Sequence, residues 1–159
     1  MNINKAINKK SFSRFFAIQI LFAYIFNNKE DNILDLISFL EKYYIADEFS
    51  LKDPEEYKDH INVGFMQELL VGTVRGFEEI NLILNESLTG KYNFNVIDAL
   101  IKVILMLAMY EFKYTDTERK IIINEYVDIA GEYFDNKAIS FVNATLDNLS
   151  KTGNKDVNP

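Results

Sequence analysis

The stretch Ile121–Leu149, IIINEYVDIAGEYFDNKAISFVNATLDNL, decides how the rest of the chain is read. Ile122, Ile123, Tyr126, Val127, Ala130 and Phe134 recur at steps of three and four, so they share one side of a helix. After Asp135-Asn136 the rhythm restarts with Ile139, Val142, Leu146 and Leu149. So short a link between two amphipathic helices admits only an antiparallel hairpin. Polar residues stand beside these stripes. Asn124 and Glu125 follow three isoleucines, and Asn143 follows Phe141-Val142, at places where packing alone is served by Leu or Ala.

The composition around the hairpin suits an all-helical, globular chain. A length of 159 residues fits one domain with a real core, and 48% apolar residues, 14% aromatics and only two prolines, Pro54 and Pro159, argue against disorder. Cysteine is absent, which excludes disulfides, thiol catalysis and thiolate metal sites and is compatible with a reducing, cytoplasmic location. The net charge of −7 is unevenly spread: residues 1–29 carry Lys5, Lys9, Lys10, Arg14 and Lys29 with no acid, which leaves the remainder at −12. A basic head on an acidic body points to an anionic partner for the head.

Taken in order, the chain opens with a basic arm, residues 1–13, expected to be partly disordered, before a helical domain over 14–150 and a frayed tail over 151–159. The apolar run FFAIQILFAYIF after Arg14 is 12 residues long, too short for a bilayer that needs roughly 20, and Gln19 interrupts it. No membrane role is expected, and the run reads as a nearly all-buried first helix. Ile33, Leu36, Ile37, Leu40 and Tyr44 form a second helix opened by Asp31 or Asn32. Residues 46–62 turn polar and read as a long loop or a short exposed turn, with His60 a solvated surface group. Phe65 to Leu84 reads as one long helix containing Gly72 and Gly76, for which close approach of a crossing helix is the first explanation. Asn93 or Asn95 is expected to cap the next helix. That helix, through Ile97, Leu100, Ile101, Ile104, Leu105 and Ala108, is apolar on nearly all sides and belongs in the middle of a bundle. Glu111 lies one turn beyond and is expected to be a buried structural carboxylate, braced by N–H groups near Lys120. Thr115 and Glu118 have capping-box spacing at the start of the hairpin.

No Gly-rich phosphate loop, Walker lysine or histidine pair is present, and the adjacent acids Glu55-Glu56 and Glu78-Glu79 point apart on a helix. Neither catalytic nor metal residues are assigned, no cofactor is implied, and an enzyme is not expected. RNA binding has the better physical case, because Lys and Arg supply phosphate contacts and aromatics stack on single-stranded bases. Phe12 is interleaved with Lys10 and Arg14, while Lys137 and Phe141 stand at the mouth of the hairpin link. For each aromatic the competing reading is core filling.

The wording INEYVDIA, a short acidic turn, then FVNATLD resembles the C-terminal signature of the NusB family of bacterial transcription antitermination factors, in particular its alphaproteobacterial members. ArgxxAlaIleGlnxLeu at Arg14–Leu21, MQELLVGTV and IKVILMLAMYEF resemble three further family segments. The resemblance implies two small helical bundles, a ribosomal protein partner called NusE, boxA RNA of ribosomal operon transcripts, and action within the RNA polymerase antitermination complex. It carries an RNA-binding role to Lys9, Lys10, Arg14, Lys137 and Phe141; the charge reading adds Lys5, and Glu111, Asn124, Glu125 and Asn143 are read from the sequence itself as structural polar groups. Departures are visible too. Ser11 and Phe12 interrupt the basic start, Val96 and Met106 stand where the family often has arginine, and Glu118 stands near its usual proline. The rivals are a helical adaptor that binds only proteins, and the NusB-like N-terminal domain of ribosomal RNA cytosine methyltransferases.

Overall fold

The computed structural model describes residues 8–27, 32–88 and 96–152, apart from the Tyr43 side chain, and every regular element among them is helical. The chain divides into two compact units, Met1–Gly72 and Thr73–Pro159. Fold class is thus all-α, with two small helical bundles, and the helix α4 (Val63–Arg75) runs from the first into the second.

The first unit is built on α1 (Lys9–Phe26), which buries Phe12, Phe16, Ala17, Ile18, Ile20 and Leu21 on more than one side. Asn8 caps it by accepting a hydrogen bond from the Lys10 N–H at 3.0 Å. The helix therefore begins inside the segment expected to be a partly disordered arm, and only residues 1–7, Lys5 among them, lie outside the described residues. Asn32 caps α2 (Ile33–Phe39) by accepting from the Leu34 N–H at 2.9 Å; the rival cap Asp31 is outside the described residues. The helical path then widens into a π-helical stretch, Leu40–Ile45, and closes with α3 (Ala46–Glu48). Part of the polar stretch, read as a long loop or a short exposed turn of helix, is a 3-10 helix, Pro54–Asp59, which buries Tyr57. His60 is half-buried and stacks on Phe49, ring centroids 4.5 Å apart, so it is a packing residue and not a solvated one.

Glu41, on the π-helical stretch, is 5% exposed and accepts hydrogen bonds from Gln67 Nε2 at 3.2 Å and from the Tyr57 hydroxyl at 3.5 Å. One carboxyl thus ties the π stretch to the 3-10 helix and to α4. Burial raises its pKa above 4.5, opposed by the two hydrogen bonds and by the Lys58 charge.

In the second unit the expected long helix is interrupted. α4 ends at Arg75, Gly76 is the N-cap residue, and α5 (Phe77–Ser87) follows. Residues 89–95 lie outside the described residues, so the expected caps Asn93 and Asn95 do too. The observed cap of α6 (Ala99–Tyr114) is Asp98, whose carboxylate accepts from the N–H groups of Leu100 at 2.8 Å and Ile101 at 3.4 Å. α6 buries ten residues, including Ile104, Leu105, Leu107 and Ala108, as its all-round apolar sequence requires. Met106 is among them, so the residue that stands where the family often has arginine packs inward here.

The capping box expected at Thr115 and Glu118 does not form. Thr115 closes α6 instead, its hydroxyl donating to the Glu111 carbonyl at 3.0 Å, and Glu118 makes no side-chain cap to α7 (Arg119–Ala130). α7 and α8 (Asn136–Thr152) form the hairpin read from sequence. Its interior is Ile122, Tyr126, Ile129 and Ala130 from α7 with Val142, Leu146 and Leu149 from α8. The link is tight: a Cβ on Gly131 would sit 3.2 Å from the Asp128 carbonyl oxygen. Helix α8 runs to Thr152, so the first two residues of the expected tail are helical and the rest lie outside the described residues.

Because burial holds the Glu41 pKa up, its contribution to stability is fully present below the unfolded value near 4.5 and is lost as pH rises through the folded value. Glu41→Gln keeps the shape without the charge, one acceptor oxygen becoming an amide donor that the Tyr57 hydroxyl can accept. It is expected to raise the unfolding free energy at pH 8 and to change little near pH 4, measured by thermal melts across that range. A variant less stable than the parent at pH 8 contradicts this.

Candidate RNA interface

Two groups of the sequence-predicted residues come together, one in each unit. In the first, Ser13 fixes the start of α1. Its hydroxyl oxygen accepts from the Asn62 N–H at 2.8 Å, and its single proton is shared between the Lys9 carbonyl at 2.8 Å and the Asn62 carbonyl at 3.0 Å. Asn62 in turn accepts from the Phe65 N–H at 2.9 Å and so opens α4. This knot presents Lys9 and Lys10 to solvent on the first turn of α1.

Phe65 lies under two cations, Lys10 Nζ at 4.8 Å and the Arg14 guanidinium at 5.0 Å from its ring centroid. The two differ in access. Lys10 is exposed, whereas Arg14 is 1% exposed and forms part of the packed interior. Planar and weakly hydrated, a guanidinium tolerates such a seat against an aromatic face better than an ammonium would. Phe12 is buried as well, edge-on to Phe49 at 5.1 Å, which is the core-filling alternative for that residue.

In the second unit, Asp135 Oδ1 accepts from the Ala138 N–H at 3.0 Å and opens α8. Lys137 is exposed on the first turn, and Phe141, one turn on, is half-buried. Both line a groove of about 800 Å³ whose other walls include Val96, Ile97 and Ile101 near the start of α6 and Ala144 of α8. Val96 is 81% exposed at its edge. The groove thus combines an ammonium, an aromatic ring and an apolar floor with the two capping carboxylates Asp98 and Asp135, a setting that suits an unpaired base.

The structural polar residues separate in the same way. Glu111 is fully buried and engaged by a partner, while Glu125 is half-buried and likewise engaged. Asn124 and Asn143 are exposed, and the hairpin is held by the apolar residues beside them. Among the described residues no group of three or more His, Cys, Asp or Glu side chains is placed to hold a metal ion, and no helix is long and apolar enough to cross a membrane. Sequence reading missed Asp98 and Phe65, and it gave no role to Lys58, which lines a second concavity together with Lys9. The Glu55 to Lys58 spacing was the only signal for the last, since it forms an i,i+3 ion pair at 2.6 Å.

Fold and site define an all-helical protein that presents cations beside aromatic rings. The chain belongs to the NusB family, which matches residues 11–151. It is 32% identical over 151 residues to the transcription antitermination protein NusB of Rickettsia bellii strain OSU 85-389, covering 94% of each chain. Among solved structures it is similar to T. maritima NusB, with 25% identity, a TM-score of 0.68, and coverage of 91% of this chain and 92% of that one. A structure of the antitermination factors NusB and NusE in complex with dsRNA shares the fold at 21% identity and a TM-score of 0.67, covering 89% of this chain and 96% of the other.

Because Arg14 is packed against Phe65, Arg14→Ala is expected to cost about 2–4 kcal/mol of stability, the range for emptying a large buried site. Urea denaturation measures it. Undiminished stability would show Arg14 to be a surface cation.

Proposed function

We propose that this protein is a transcription antitermination factor that binds boxA-type RNA of ribosomal RNA operon transcripts together with the ribosomal protein NusE, promoting processive transcription. The observation that carries this reading is the family match across residues 11–151 to relatives that bear that name. Lys9 and Lys10 on α1, and Lys137 and Phe141 at the start of α8, supply the RNA contacts. Lys5 adds to the positive charge of the N-terminal segment. The role is one of binding in the cytoplasm, without catalysis: the protein and its ribosomal partner hold the transcript jointly within the RNA polymerase complex.

The physical basis is counterion release. Each lysine that neutralises a phosphate frees condensed ions, so affinity falls as salt rises, with a log–log slope of about −0.7 per contact on single strands. A net charge of −7 repels RNA at long range, so the positive segment must act locally.

Replacing Lys9 and Lys10 by Ala is expected to weaken binding of boxA RNA about tenfold near 100 mM salt and to flatten the salt slope by about 1.4. Fluorescence titration over a salt series reads both. Unchanged affinity and slope, with NusE pairing intact, would instead mark the chain as an adaptor that binds only protein.

A further inference from the structure

Resting on that reading, the first unit carries a second contact that sequence did not reveal. A concavity of about 450 Å³ is lined by Lys9, Lys58, Ile61, Asn62 and Val63. The Ser13–Asn62 knot brings the start of α1 against the segment that follows the 3-10 helix, and so sets Lys9 and Lys58 on one surface although they are distant in sequence. Among the described residues two ammonium groups line this surface and no carboxylate does, for Glu56 and Asp59 of the same 3-10 helix take no part in its walls.

Lys58 is already paired, with Glu55. One of its oxygens receives Lys58 Nζ at 2.6 Å, and the other lies 3.7 Å from Lys42 Nζ. All three side chains are about half exposed. Exposed pairs of this kind are weak and readily exchanged. A backbone phosphate carries the same charge as the carboxylate on two comparable oxygens, so it competes directly for the Lys58 ammonium.

We propose that Lys9 and Lys58 together seat a backbone phosphate of the bound RNA, and that Glu55 is the counter-charge which that phosphate displaces from Lys58. The contact positions the strand on the first unit without reading its sequence. Glu55 sets its strength, because every bound phosphate must compete with it.

Single-stranded boxA RNA titrated into the full-length protein with NusE present, over a salt series, tests this. Lys58→Ala is expected to weaken binding about fivefold and flatten the slope by about 0.7. Glu55→Gln is expected to tighten binding about threefold at low salt, and most of that gain should vanish when Lys58→Ala is added. Both positions are exposed, and thermal melts confirm that the variants fold. If Lys58→Ala and Glu55→Gln both bind like the parent while the Lys9 and Lys10 double variant binds weakly, this inference fails and the family reading stands. If the parent protein binds no RNA at any salt, both fail.

Discussion

The hydrogen-bond knot between Ser13 and Asn62 is the constraint on which the cationic face depends. A lysine at the end of a flexible arm pays the full entropy of being ordered whenever it meets a phosphate. Here the backbone beneath Lys9 and Lys10 is already helical, capped by Asn8 and pinned by Ser13 to the residue that opens α4. Only the side chains remain to be ordered on binding. The same knot places Phe65 beneath Lys10 and Arg14, so charge and packing are set by one local arrangement.

Comparable economy holds in the second unit. Asp98 and Asp135 each spend a carboxylate on the first N–H groups of a helix, α6 and α8, and the groove bearing Lys137 and Phe141 lies between those two starts. The surrounding framework is rigid because α6 is buried nearly all round and the α7–α8 hairpin closes over Tyr126 and Leu146. Away from these, Glu79 on α5 receives the Lys113 ammonium and the Tyr114 hydroxyl, the latter at 2.7 Å, and fastens α5 to the end of α6. These contacts hold the unit together away from the groove.

How much of this was legible in the sequence depended on whether periodicity carried the information. The hairpin was legible, because its two apolar stripes and short link leave one solution. The break at Gly76 was not: Val74, Phe77, Ile80 and Leu84 keep helical phase across it, and a one-residue interruption that preserves phase leaves no trace in the pattern. Caps were ambiguous where several Asn and Asp residues offered the same chemistry, so Asp98 was overlooked. Thr115 was assigned to the following helix, because spacing cannot say whether a hydroxyl serves the helix before it or the one after. At the candidate RNA interface, sequence counted charge without access. Arg14 and Lys10 look alike as letters, yet one is buried against Phe65 and the other faces water. Family resemblance supplied the proposed function, and it drew on the wording of four short segments, which composition and periodicity alone do not read.

The central claim is that this chain and NusE hold one RNA together, with lysines on a preordered helix start supplying part of the grip. Its most direct test is the affinity of boxA RNA for the parent protein, alone and with saturating NusE, each across a salt series. The account expects weak, salt-sensitive binding alone and binding at least tenfold tighter with NusE, about 1.4 kcal/mol of coupling, at a slope that stays negative. Affinity that is independent of salt, or that NusE leaves unchanged, would contradict it.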